Sequence, residues 1–148
     1  MIEGLYLHIP FCAKRCAYCD FATEACHDDA RMDAYIDGLS LAIRRASRKG
    51  LLGSIKTIYL GGGTPSYLGT RRLNSLVYLI SLSINLENVE EFTVEANPDS
   101  IDERMVKDLF ALGVDRFSLG AQSFDDEVLA VLGRAHSADD ARRAIEAA

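Results

Sequence analysis

Three cysteines crowd into the stretch Cys12-Ala-Lys-Arg-Cys16-Ala-Tyr-Cys19, with three and then two residues between them. Thiolates at that spacing can reach a single iron–sulfur cluster. A cubane cluster has four irons and is commonly held by four cysteines, so a protein triplet leaves one iron open to a ligand that does chemistry. The competing assignment is structural zinc, with Cys26, His8 or His27 as fourth ligand. Tetrahedral zinc usually draws on two separated ligand pairs, and this chain has one tight triplet without a second pair. Downstream, Gly61-Gly62-Gly63-Thr64-Pro65 offers backbone amides to an anionic or zwitterionic ligand. Glu95 is a lone carboxylate on a strand face, a costly placement unless it has a partner.

These groups need a scaffold, and the hydrophobic periodicity supplies one. Leu5 to Pro10 alternates as a first strand, which puts the cysteines on the loop at its C-terminal end. Met32, Tyr35, Ile36, Leu39, Ile43 and Ala46 recur at helical steps, predicting a helix over Asp29 to Lys49 that Gly50 stops. A second strand is expected at Ile55 to Leu60, ended by the glycines, then a helical stripe through Leu73, Leu76, Val77 and Ile80. Glu91 to Ala96 reads as the third strand, closed by Asn97-Pro98. Ser100-Ile101-Asp102-Glu103 has the pattern of a capping box before a third helix carrying Met105, Val106, Leu109 and Phe110. Arg116 to Ser123 is the fourth expected strand, and Asp125 to Leu132 and Ala138 to Ala147 are short helical segments.

Strands separated by single helices imply parallel crossovers and an α/β fold. One strand parity is apolar (Leu5, Leu7, Ile9; Ile58, Leu60; Phe92, Val94; Phe117, Leu119). The other carries Tyr6, His8, Thr93, Glu95, Asn97, Ser118, Gly120 and Gln122. A sheet whose inner face grows polar toward its C-terminal strand ends suits a barrel holding its ligand there. About four βα units do not close a barrel, and the sequence stops inside a helical pattern, so residues 1–148 are expected to be the N-terminal part of a longer protein. The 148 residues and 49% hydrophobic content suffice for a real core, while the net charge of -6 argues against a nucleic-acid partner. No apolar run has the length of a membrane span and no signal peptide is legible. With cysteines clustered rather than dispersed as in a secreted disulfide framework, a cytoplasmic location is expected.

Several motifs in order carry a resemblance: Tyr6-Leu7-His8-Ile9-Pro10-Phe11-Cys12 with Cys16, Cys19, Asp20 and Phe21; Gly61-Gly62-Gly63-Thr64-Pro65; Glu95-Ala96-Asn97-Pro98; and Gly120-Ala121-Gln122-Ser123-Phe124 with Leu132-Gly133-Arg134-Ala135-His136. Together they resemble the radical S-adenosylmethionine (SAM) superfamily, and within it the oxygen-independent coproporphyrinogen III oxidase and haem chaperone family. The resemblance implies a partial (β/α)6-type, TIM-like barrel. It implies a 4Fe-4S cluster ligated by Cys12, Cys16 and Cys19, with SAM on the open iron. Tyr6, Tyr18, Gly62, Gly63, Thr64, Glu95, Gln122 and Arg134 would bind SAM. A reduced cluster would cleave SAM to a 5'-deoxyadenosyl radical if the intact protein is catalytic. An electron donor, a haem or porphyrinogen ligand and haem-accepting proteins would be the partners.

Two departures separate the branches. Asp20 and Phe21 follow the third cysteine where the decarboxylase pattern has glycine and a fourth cysteine. Only eleven residues precede Cys12, whereas the decarboxylase branch is expected to carry a long N-terminal extension there. Both favour the haem chaperone type over the decarboxylase; a radical SAM methyltransferase is a further alternative.

Overall fold

In the computed structural model, which describes residues 2–148, four strands form one parallel sheet. They are β1 (Gly4–Ile9), β4 (Thr57–Gly62), β5 (Glu91–Ala96) and β6 (Arg116–Leu119), in that spatial order. Two-residue strands β2 (Phe11–Cys12) and β3 (Glu24–Ala25) form a separate parallel pair. Between the main strands run α1 (Asp29–Arg48), α2 (Gly69–Ser83) and α3 (Glu103–Ala111), followed by α4 (Asp126–Val131) and α5 (Ala138–Ala147). Strands adjacent in the sheet are also consecutive among its four members, the arrangement of a sheet that curls progressively rather than doubling back.

The apolar strand parity packs outward against the helices. Ile9, Ile58, Leu60, Phe92 and Val94 are buried, together with Leu73, Leu76, Val77 and Ile80 of α2, Ile36 and Ile43 of α1 and Leu109 of α3. Removing each such side chain from water contributes about 1.5–3 kcal/mol, and this layer holds the helices to one face of the sheet. The other parity lies in register across the strands, Tyr6 beside Tyr59, Tyr59 beside Thr93, and Glu95 beside Ser118. Beyond β6 a groove is lined by Val106, Phe110, Phe117, Leu119 and Ile145, with Phe110 largely exposed.

Several boundaries differ from the sequence reading. β4 starts and ends two residues later than expected and runs through Gly61 and Gly62, which pair with His8 and Ile9. Glycine weakens a strand in isolation, but here the neighbouring strand supplies the pairing and its side chains demand the close approach. β6 ends at Leu119 because Ala121 N turns back to Leu119 O and Gln122 takes a left-handed φ of 64°. α3 is capped by Asp102, whose carboxylate accepts from Met105 N, not by Ser100. The Ser100 hydroxyl is engaged with Ser66 and with Asn97 O. A true capping box stands at Ser137 and Asp140 instead, opening α5 where the periodicity placed it.

α1 and α2 are joined by Arg72, only 12% exposed, which reaches Asp33 at 2.6 Å and Asp29 at 2.8 Å. Arg71 also meets Asp33, at 2.7 Å. The hydrogen bond from Arg72, then that from Arg71, holds the Asp33 carboxyl below its ordinary value. A carboxylate whose folded value is depressed adds stability above its unfolded value, and that stability is lost as pH falls through the folded value. Acid titration of unfolding is therefore expected to show wild-type stability falling below about pH 4, near the ordinary carboxylate value, more steeply than that of Asp33→Asn. Parallel acid limbs for the two proteins would rule the link out.

Candidate functional site: a cysteine-lined cleft at the strand ends

The C-terminal ends of the sheet strands surround a cleft of about 270 Å³. The loop after β1 brings Cys12, Cys16, Tyr18 and Cys19 to its wall, and the loop after β4 brings Gly62, Gly63 and Thr64. β5 contributes Glu95 and, just beyond it, Asn97; the segment after β6 contributes Gln122; Arg134 arrives from the turn after α4. Ten of the eleven residues singled out from the sequence thus meet on one surface. Tyr6 is the exception: it is 55% exposed and does not line the cleft.

The cysteine loop is clamped at its base. β2 pairs with β3, with Cys26 N donating to Cys12 O at 3.1 Å, and Glu24 N donating to Pro10 O at 2.8 Å. His8 donates from Nε2 to Ala22 O at 2.8 Å. A carbonyl only accepts, so Nε2 carries the proton and Nδ1 accepts from the Tyr6 hydroxyl at 2.9 Å. The His8 ring lies where a Cβ on Gly62 would sit, 2.6 Å away, and Gly62 has φ 118°. Tyr6 thus touches the glycine loop only indirectly, through the His8 ring packed against Gly62.

Glu95 has the partners that a carboxylate in this position requires. Its Oε1 accepts from the Tyr59 hydroxyl at 2.6 Å and its Oε2 from Gly62 N at 3.0 Å. Burial, then the hydrogen bond to Glu95, pushes the Tyr59 phenol up, so Tyr59 remains a donor. Tyr59 was not foreseen, although its place beside Thr93 on the polar strand parity was the available signal.

Arg134 is not a solvated helix-end charge. Its Nη2 donates to Gly120 O at 2.7 Å and to Asn97 Oδ1 at 2.8 Å; its Nη1 lies 3.4 Å from both Cys16 Sγ and the Tyr18 hydroxyl. A Cβ at Gly120 would come within 2.5 Å of Asn97 Oδ1, so this crossing needs glycine. Asn97 also donates from Nδ2 to Thr64 Oγ1 at 3.0 Å. Nearby, His136 is 4% exposed and donates from Nε2 to Ala121 O at 2.9 Å, bracing the turn that presents Gln122.

Cys12 is half-buried, 3.5 Å from the Thr64 hydroxyl. Burial pushes its thiol up; the Thr64 hydrogen bond and Arg134 pull against this, while Cys19 and Cys16 add to it. Metal-free Cys12 is therefore a neutral thiol at pH 7, and ligation would release its proton. Among the described residues no three His, Cys, Asp or Glu side chains stand close enough to ligate one metal ion. A cubane spreads its ligands over separate irons, and thiols on one wall with a carboxylate facing them fit it; the loop amides that the sequence offered to a ligand are instead spent inside the protein, Gly62 N on Glu95 Oε2, Gly63 N on Ile9 O and Thr64 N on Phe11 O. Cys26 is buried beside the Asp28 carbonyl and does not reach this wall.

The Radical SAM superfamily profile matches residues 6–148. A protein of Lactococcus lactis named heme chaperone HemW is 40% identical over 135 residues, covering 91% of this chain and 34% of its own length. The heme chaperone HemW of Escherichia coli is 36% identical over 145 residues, 98% of this chain and 38% of the relative. The chain thus spans somewhat more than a third of these relatives. Among solved structures, the E. coli coproporphyrinogen III oxidase HemN, described as a radical SAM enzyme, superposes with a TM-score of 0.85 at 28% identity, over 98% of this chain and 33% of the enzyme. The Elp3 protein of Methanocaldococcus infernus shares the fold, with a TM-score of 0.56 at 18% identity. With the profile spanning nearly the whole sequence and the parallel sheet superposing on the radical SAM barrel, the chain belongs to the radical SAM superfamily.

Proposed function

We propose that the chain is the N-terminal portion of a radical SAM core that binds a 4Fe-4S cluster through Cys12, Cys16 and Cys19 and SAM beside it, in a haem chaperone-type protein. The observation that carries this reading is the single cleft shared by the three thiols, the glycine loop, Glu95 and Arg134. Bound together, the cluster and SAM supply one-electron cleavage of a carbon–sulfur bond. The chain's own residues do the positioning. Gly62, Gly63 and Thr64 would line the methionine end of the cofactor, and Thr64 and Arg134 approach the ligand sulfurs. Glu95, fixed by Tyr59 and Gly62 N, would bind the cofactor with its carboxylate, and Gln122 would complete the polar rim.

Further barrel units are proposed to pack on the open edge of β6, where the apolar groove of Phe110, Phe117 and Ile145 awaits cover. No described helix is long and apolar enough to cross a membrane; a cytoplasmic site of action is proposed from the clustered, reduced cysteines. Haem as ligand is supported by the heme chaperone name of the HemW relatives and by Asp20-Phe21 after the third cysteine; an electron donor and haem-accepting proteins are proposed with it. Coproporphyrinogen oxidation is the second reading, favoured by the superposition on HemN.

The test is electron paramagnetic resonance of the anaerobically reconstituted, dithionite-reduced chain with and without SAM. A reduced 4Fe-4S signal that changes shape on adding SAM is expected. No cluster, or a signal blind to SAM, overturns the reading.

A further inference from the structure

From the hydrogen-bond directions around Arg134 we infer that Asn97 is a positioning residue that aims the Thr64 hydroxyl hydrogen at Cys12 and thereby raises the reduction potential of the cluster. This rests on the reading of the cleft as a cluster site. Arginine only donates, so the atom of Asn97 that meets Arg134 Nη2 at 2.8 Å must be the carbonyl oxygen. The amide nitrogen then faces Thr64 and donates to its Oγ1 at 3.0 Å. With a lone pair committed to that bond, Thr64 has its own hydrogen free for its other neighbour, Cys12 Sγ at 3.5 Å. The relay runs one way: guanidinium to amide oxygen, amide nitrogen to hydroxyl, hydroxyl to sulfur.

The surroundings hold Asn97 in that orientation. Its backbone N donates to Ser66 Oγ at 3.2 Å, and its carbonyl accepts from Ser100 N at 3.0 Å and from the Ser100 hydroxyl at 3.2 Å. Thr64 is buried, so its hydroxyl has little water to compete for it. Hydrogen bonds to ligand sulfur withdraw charge from a cluster and favour its reduced form. Arg134 addresses Cys16 directly at 3.4 Å, so the same guanidinium acts on two of the ligand sulfurs, on one of them only through Asn97.

The experiment is a redox titration of the reconstituted chain, without substrate turnover, on wild type, Thr64→Val, Thr64→Ser, Asn97→Ala and the double variant Asn97→Ala/Thr64→Val. Iron and sulfide content are measured first. Thr64→Val, nearly isosteric, is expected to lower the potential, and Thr64→Ser to keep it near wild type. Asn97→Ala is expected to lower it in the wild-type background and to add less than half of that shift when Thr64 is already valine. An unchanged potential in Thr64→Val overturns the inference, and so does an Asn97→Ala shift that adds in full to the Thr64→Val shift. A wild-type chain that takes up no cluster would instead defeat the functional reading on which the inference rests. If Asn97→Ala does not fold, Asn97→Ser, whose side chain is too short to reach Thr64, takes its place in both backgrounds with the same expected and overturning shifts.

Discussion

Replacing any one of Cys12, Cys16 and Cys19 by alanine is expected to reduce iron and sulfide binding after anaerobic reconstitution to background, whereas Cys26→Ala keeps the wild-type content. The contrast follows from where the thiols stand. The first three line the cleft, while Cys26 is 5% exposed, with its sulfur turned to Asp28 O at 3.7 Å. A cubane left with two protein thiolates would have two irons without protein ligands and would lose cohesion. The loop that carries the cysteines is held by backbone pairing at β2 and β3 and by His8 on Ala22 O, none of which uses a sulfur. The circular dichroism of the metal-free variants should therefore match wild type, so that lost iron reports lost ligation. Cys26→Ala removes a small buried group and is expected to cost about 1 kcal/mol of stability. Equal loss of iron in Cys26→Ala would overturn the three-thiolate assignment and return the chain to a four-ligand site of the zinc kind.

The sheet and the cleft were legible in the sequence for different reasons. Strand parity is a local signal with a period of two, and it separated Ile58, Leu60, Phe92 and Val94 from the face carrying Glu95 and Thr93 without knowledge of the partners. The turn chemistry was less reliable because its atoms are contested by distant ones. Ser100 has the local form of a cap, but Ser66, far away in sequence, takes its hydroxyl, and Asp102 caps α3 instead. Gly61 and Gly62 read as a strand stop, yet β1 pairs with them through His8 and Ile9. The two-residue strands β2 and β3 are too short to carry a pattern at all. Asn97 was visible as a strand stop before Pro98 and as a member of the polar parity, but neither signal named a partner for its side chain. Its side chain acquires a role because Arg134, 37 residues on, is brought to its carbonyl oxygen, and no local rule predicts such a meeting.

Gly63 is the position where the smallest change is expected to have the largest structural effect. A Cβ there would lie 2.7 Å from Phe11 O, 2.8 Å from Pro10 C and 2.9 Å from Pro10 O. All three are backbone atoms, so no rotamer change relieves the contact. Nor can the backbone withdraw freely. Gly63 N donates to Ile9 O at 2.7 Å, Thr64 N to Phe11 O at 2.8 Å, and Glu24 N to Pro10 O at 2.8 Å. Moving the β4 loop away from Pro10 and Phe11 strains the first two bonds, and moving Pro10 strains the third. Overpacking of this kind costs about 1–3 kcal/mol, and weakening one of these bonds about 1 kcal/mol more. Gly63→Ala is therefore expected to destabilise the chain by about 2–4 kcal/mol in denaturant unfolding and to impair cluster uptake, because Cys12 follows Phe11 directly. Gly38→Ala is the control: within α1, with no atom inside 4 Å of the added Cβ, it should stabilise by about 0.5–1 kcal/mol through helix propensity alone. Gly63→Ala unfolding like wild type would mean that the glycine loop can stand off from the cysteine segment. Thr64 would then lose its hold on Cys12, and the cleft could not be the rigid frame that ligation by three thiolates requires.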